Sequence, residues 1–363
     1  MPYRFRVLGL LFLLVFVMYL DRLCIAVAGP RIQQDLNLSP QEWGWVIGAF
    51  TLAYALFEMP SGALGDRIGQ RKVLTRIVLW WSAFTVLTGM VTSLWPLLIV
   101  RFLFGAGEAG AFPNCAGVVS RWIPPQERAR STSIFWIASS LGGVVTPLLV
   151  VSIQQAYSWR EAFYLFGFIG IFWVAIWYWW FRDHPHQKSG ITQTELNHIG
   201  AAPVQQHGSV PWKQMFRNRN FQWILLMYHF YCWGAYFYLS WLPTYLQIGR
   251  GMTEDQMKVA SALPPAAGAI GVVIGGFLSD RLMKKYSIRI ARCSIGFVSL
   301  ILSGLLMLAA TATADNQVAV VYIALGLGVM NAMLPVAWSI CVDIGGQHAG
   351  AVSGAMNMFG QLG

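Results

Sequence analysis

The stretch Gly62-Ala63-Leu64-Gly65-Asp66-Arg67-Ile68-Gly69-Gln70-Arg71-Lys72 is a polar seam between two long apolar runs. It gathers Asp66, Arg67, Arg71 and Lys72 into one short loop, in a chain where only 11% of residues are charged. A second seam repeats it 214 residues later, Gly276-Phe277-Leu278-Ser279-Asp280-Arg281 followed by Lys284-Lys285. Each copy closes the second apolar run of a series, so the chain reads as two homologous halves.

Outward from the seams, the apolar runs are long enough to cross a bilayer, which takes about 20 residues per helix. Windows of that length give spans over 7–28, 43–64, 74–92, 96–118, 132–154, 161–181, 221–246, 258–278, 291–312 and 318–342. An eleventh begins near Gly350 and is cut off at Gly363. Composition agrees: 56% of the 363 residues are hydrophobic and 14% aromatic. Soluble domains carry about 25% charged residues, so a soluble enzyme, a nucleic-acid-binding domain and a disordered chain are all excluded. Arg4 and Arg6 precede the first run, and Ala26-Val27-Ala28 imitates a signal-peptidase site. Asp21-Arg22 would interrupt such a signal, so the first run reads as a crossing helix.

The net charge of +10 follows from topology. With the amino terminus in the cytoplasm, nineteen Lys and Arg residues fall on that side. Only Arg31, Arg160, Arg250 and Lys258 fall outside. This is the positive-inside asymmetry and leaves nothing for nucleic acid to explain. The longest polar stretch, about 182–220, separates a six-helix bundle (1–181) from a second bundle (221–363) and reads as a cytoplasmic linker. Within it, Thr192-Gln193-Thr194-Glu195 has the form of a capping box opening a short helix. The five cysteines have neither metal spacing nor a disulfide pattern and read as small buried hydrophobes.

Four charges remain inside the spans: Asp21, Arg22, Arg101 and Glu108. A charge in the hydrocarbon costs about 2.5–3.5 kcal/mol on insertion scales, so each is a site candidate. Arg22 and Arg101 suit an anion clamp, because guanidinium stays charged and offers carboxylates two parallel hydrogen bonds. Asp21 and Glu108 suit proton carriage, since burial favours the neutral acid and a nearby arginine opposes it. Occupying the arginine with an anion would strengthen proton binding, which couples the two. Adjacent helical residues face different neighbours, so Asp21 and Arg22 do not simply neutralise each other. Arg101 and Glu108 lie two turns apart, roughly 10 Å by helix rise, too far for a direct salt bridge. In the second half the seventh span offers aromatic contacts, with Tyr228 and Tyr231 deepest. His229 reads as a packed, hydrogen-bonded histidine.

The Gly62–Lys72 run resembles the signature loop of the major facilitator superfamily. Tyr19-Leu20-Asp21-Arg22, the segment Arg101–Pro113 with Gly105, Gly107 and Glu108, and Trp122 through Glu127-Arg128 resemble its anion:cation symporter branch, as does Trp159-Arg160 with Phe163. The resemblance implies an all-α membrane protein of two six-helix halves and twelve spans, so this chain is expected to stop within helix 11. It implies a monomer in the plasma (inner) membrane that imports a small organic anion, most simply a sugar acid, with protons, by rocking halves. No cofactor, metal or nucleic acid enters. Arg22 and Arg101 match the branch's substrate arginines. Trp338 and Asn357 match its aromatic and polar site positions, whereas Ser139 stands where some members have glutamine. Glu58 departs from the usual glutamine and is assigned to the inner gate. Asp66, Arg67, Arg71, Arg128, Asp280 and Arg281 are expected to hold the cytoplasmic face closed. The alternatives are an organophosphate:phosphate exchanger, disfavoured by the two membrane acids, and a carrier of aromatic carboxylates. No phosphate-binding Gly-x-x-x-x-Gly-Lys-Ser/Thr loop and no His-Glu-x-x-His is present, so neither a primary pump nor a membrane enzyme is expected.

Overall fold

The computed structural model describes residues 2–124, 127–200, 212–345 and 349–362, with side chains except at 59, 63, 66, 128–130, 132, 133, 342, 343, 345 and 349–351. Every apolar run identified from the sequence falls on helix. The first seven helices are α1 Tyr3–Asp35, α2 Pro40–Ile68, α3 Gln70–Met90, α4 Leu94–Glu108, α5 Ala111–Trp122, α6 Arg128–Ala156 and α7 Trp159–Trp180. Two short helices follow, α8 Gln193–Ile199 and α9 Trp212–Arg217. Then come α10 Arg219–Tyr236, α11 Leu242–Thr244, α12 Glu254–Met283, α13 Ile288–Ala312, α14 Asn316–Asn331, α15 Leu334–Gly345 and α16 Ala349–Gln361. Among the described residues, eight helical stretches are long and apolar enough to span a membrane, two of them formed by α4 with α5 and by α14 with α15 taken together.

Local chemistry sets the helix starts. Ser39 and Glu42 form a reciprocal capping box with Pro40 behind it, and Thr253 and Gln256 do the same for α12. Ser287 and Asp315 cap α13 and α14. At the first seam the chain reverses on one residue. Gly69, at φ +91°, ends α2 and starts α3. A Cβ there would lie 2.5 Å from Asp183 Oδ2. The missing side chain thus lets Asp183 accept from Arg71 N–H at 2.8 Å and satisfy the open amino end of α3.

Three spans differ from the continuous helices expected. The fourth breaks between α4 and α5 at Ala109-Gly110, where Gly110 is left-handed at φ +87°. The Asn114 amide donates to Gly110 O (2.7 Å) and Ser61 O (3.2 Å), taking up carbonyls there. The tenth span is pinched between α14 and α15 by a tightened turn, Ala332 N–H to Val329 O and Met333 N–H to Met330 O. The seventh widens into two π turns, Phe237–Trp241 and Tyr245–Gly249, on either side of α11. The expected capping box of the linker helix forms only by half. Thr192 accepts from Glu195 N–H, but the Glu195 carboxylate accepts from Arg4 N–H at 3.0 Å.

The chain divides into two compact units, Met1–Gly142 with Ser152–His207, and Gly143–Val151 with Gly208–Gly363. The first unit is cored by Leu11, Leu14 and Val15 of α1, Val73, Ile77 and Trp81 of α3, and Trp173 and Trp177 of α7. Lipid tails are as apolar as leucine, so cohesion comes from close packing and from satisfied polar tips. Trp173 donates to Leu10 O (2.9 Å), Trp177 to Arg71 O (3.2 Å) and Trp122 to Arg182 O (3.0 Å). In the second unit α12 lies directly on α14. A Cβ on Gly271 would sit 1.8 Å from Gly328 O.

Candidate functional site

The four membrane charges lie together in the first unit, Asp21 and Arg22 on α1, Arg101 and Glu108 on α4. Arg22 grips one oxygen of Glu108, with Nη2 at 2.6 Å and Nε at 2.9 Å from Oε1. Glu108 is fully buried, and its other oxygen, Oε2, has no hydrogen-bond partner among the described residues. The bridge is therefore not the two-oxygen fork that arginine and carboxylate can form. Asp21 points elsewhere, as helical spacing requires. Thr85 and Trp81 are the polar side chains turned toward it, yet neither carboxylate oxygen completes a hydrogen bond.

Arg101 is 2% exposed and has no carboxylate within salt-bridge distance among the described residues. Its Nε is buried without a partner. The guanidinium rests instead on aromatic faces, 4.4 Å from the Phe104 centroid and 5.2 Å from Phe50. Arg22 lies 5.1 Å from the same Phe50 ring and 4.7 Å from Tyr54. Ring quadrupoles attract cations, so Phe50 serves both arginines. It reaches them because α2 and α4 touch: a Cβ on Gly105 would lie 2.4 Å from Phe50 O. The sequence reading missed Phe50 and Tyr54. Their signal was an aromatic pair at i, i+4 on the helix preceding the seam.

The arrangement is a buried cluster of two arginines and two acids, in which Arg22 is bound to Glu108 and Arg101 has no carboxylate within salt-bridge distance among the described residues. Comparison with known proteins then decides the family, because the Major Facilitator Superfamily model matches residues 11–363. The chain belongs to the major facilitator superfamily. It is 36% identical over 98% of its length to a probable sulfoacetate transporter of Cupriavidus necator, covering 83% of that protein. It is 30% identical over 99% to a D-galactonate transporter of Escherichia coli (86% covered) and 29% identical over 98% to a hexuronate transporter of Bacillus subtilis (84% covered). These relatives match the anion:cation symporter branch. The fold also matches an inward-facing bacterial homolog of the human lysosomal transporter Spinster, at TM-score 0.80 and 22% identity over 99% of this chain and 80% of that one. The protein is a multi-pass membrane protein of a transporter family, not an enzyme.

Within this major facilitator chain the substrate-contact candidates of the second unit, Tyr228, Tyr231, Trp338 and Asn357, are neutral. Tyr231 donates to Asn331 Oδ1 at 2.8 Å and stacks on Tyr228 at 5.3 Å, so its hydroxyl is already engaged. Trp338 and Asn357 are half-buried on α15 and α16. His229 Nδ1 lies 3.2 Å from Phe359 O, the packed histidine expected. In the first unit Ser139 is buried, with its hydroxyl donating to Trp136 O in its own helix (2.9 Å). Glu58 is buried on α2, one turn beyond Tyr54. Of the seam residues, Arg67, Asp280 and Arg281 are exposed, and Arg71 donates to Tyr178 O (3.0 Å from Nε). The side chains of Asp66 and Arg128 lie outside the described residues. Asp183, the acid that holds the amino end of α3, was not singled out from the sequence. It is 112 residues from its partner, and no local pattern marks it.

Proposed function

We propose that the protein is a secondary active transporter that carries a small organic anion together with protons by alternating access. One observation carries this reading: Arg101, buried and, among the described residues, without a carboxylate of its own. A permanent charge kept unpaired in a membrane interior is costly, and a substrate carboxylate compensates it. Arg22 is the second arm of the clamp, held by Glu108 until that acid takes a proton. Anion and proton then favour each other's binding by linkage. Asp21 is the second proton carrier.

A sugar acid is the favoured substrate, because the hexuronate and galactonate relatives share the whole chain length. Tyr228, Tyr231, Trp338 and Asn357 offer faces and polar tips for a hydroxylated body, with Ser139 beside the cationic half. A short sulfonated carboxylate is the second reading, favoured by the 36% identity to the sulfoacetate relative. The gate residues are Glu58, Asp66, Arg67, Arg71 and Arg128 in the first half, and Asp280 and Arg281 in the second. The amino terminus is placed in the cytoplasm and the protein in the plasma membrane.

The test is uptake into proteoliposomes of galactonate, glucuronate, glucarate and sulfoacetate, with the pH gradient and the membrane potential imposed separately. Accumulation of one acid driven by inward acid pH supports symport. If Asp21 and Glu108 both cycle, a monovalent acid also responds to potential, worth about 2.3 kcal/mol per 100 mV. Uptake indifferent to the pH gradient sinks the proton coupling. Exchange of phosphate for phosphate esters would instead establish the exchanger.

A further inference from the structure

We propose that the outer face of α3 holds an anionic phospholipid, with its phosphate on Lys72 and Arg76 and an acyl chain in the groove beyond. The groove encloses about 510 Å³ and is lined by Lys72, Thr75, Arg76, Leu79, Trp80 and Phe84, with Tyr178 of α7 on its side. Its layout follows helical spacing. Positions 72 and 76 put two cations and the Thr75 hydroxyl on the first turns. Positions 79, 80, 83 and 84 continue the same face for two more turns with apolar surface. Leu79, Trp80 and Tyr178 are 44%, 42% and 51% exposed, so this surface faces outward.

Both cations are available. Among the described residues neither Lys72 nor Arg76 lies within salt-bridge distance of a carboxylate, and Arg76 spends one N–H on Ser61 Oγ at 3.0 Å. Trp80 is fixed rather than mobile. Its indole N–H donates to Leu103 O at 2.8 Å, and Phe84 lies against it at 5.3 Å. With its polar atom taken, the ring presents only an apolar face. Charge at one end and a dry, rigid wall along the rest match a lipid, which has that division. A soluble anion would use the cations but not the wall. Counted from the first residue of each helix, Gln70 of α3 and Ile288 of α13, the second half has Ile290 and Ser294 where Lys72 and Arg76 stand. A cationic pair at these two positions therefore belongs to the first half.

Native mass spectrometry of the purified full-length chain tests it, with added dioleoyl-phosphatidylglycerol against dioleoyl-phosphatidylcholine. We expect retained phosphatidylglycerol adducts in the wild type and at least a fivefold loss in the double variant K72Q/R76Q. W80A should lose less, and the basic pair of the other seam, K284Q/K285Q, should keep wild-type adducts. Monodisperse elution of each variant establishes that it is folded. Equal adduct loss in both basic pairs, or none in K72Q/R76Q, overturns the site. Displacement of the lipid by millimolar inorganic phosphate would make it a phosphate site. A dimer that K72Q/R76Q dissolves would make it a contact between copies. Either result overturns the lipid assignment.

Discussion

The two units treat polar groups in opposite ways. The first encloses two arginines on the Phe50 ring, with Glu108 bound to one of them and Asp21 buried nearby. In the second, the described side-chain pairs of the seventh span are between neutral groups, Tyr231 with Asn331, Tyr236 with Gln361 and Tyr238 with the sulfur of Met307, while its part-buried Arg250 donates to Tyr245 and to the carbonyl of Thr313 at the end of α13. A neutral hydrogen bond contributes about 1 kcal/mol net, whereas a buried charge that loses its partner costs several times as much. The halves repeat each other in their seams, but in the proposed function affinity for an anion and its coupling to protons are concentrated in one of them. The other can change its hydroxyls and amides with little risk to stability, which suits a family whose relatives carry acids of different bodies.

The comparison breaks first at Arg101. Arg101→Ala should weaken anion binding on the order of 100-fold, as for removal of one partner of a buried charge pair. Arg101→Lys should still lose roughly tenfold, because the planar fork is gone. Isothermal titration with whichever acid the uptake panel selects measures both, and wild-type affinity in the lysine variant rules out two-point recognition. Next is Glu108→Gln, which should abolish accumulation driven by a pH gradient while leaving substrate exchange across the vesicle. Retained gradient-driven accumulation would make Glu108 a structural partner of Arg22 alone. Tyr231→Phe sharpens the contrast: losing the bond to Asn331 should cost about 1 kcal/mol, a fivefold effect on affinity at most. A loss matching Arg101→Ala would end the distinction between the halves. The smallest effect belongs to Asp35→Asn. Its 2.6 Å pair with Arg160 is half-exposed on both sides, and such pairs contribute about 1 kcal/mol or less. Thermal melting in detergent should shift by a few degrees at most.

The helices were legible because a bilayer demands long apolar runs, and the repeat because Asp66-Arg67 and Asp280-Arg281 sit at like positions. The charged residues themselves were legible for the same reason: Arg101 stands out against Leu97, Phe102 and Phe104. Their partnerships were not. Arg22 and Glu108 are 86 residues apart, and which acid meets which arginine depends on how α4 lies on α1 and α2. The break at Ala109-Gly110 was hidden because the hydropathy of 96–118 runs straight through it. A glycine reads the same in sequence whether it serves close packing or a left-handed turn. Glu195 illustrates a nearer miss. Its spacing from Thr192 satisfies the capping pattern, but Arg4 N–H, brought in by the fold, competes for the carboxylate and wins.

The interrupted fourth span has a counterpart in the interrupted tenth, which is also fourth in its half. If the halves arose by duplication, a break carried by both is what an ancestral single half with that break would leave. Its chemistry has since drifted. One copy turns on a left-handed glycine, Gly110, and the other on Ala332 and Met333 with no glycine between them. The two halves share the interruption itself and not the residue that makes it. A search for distant relatives by residue identity would overlook this mark of descent, whereas a search for a helix that stops and restarts at that depth would find it.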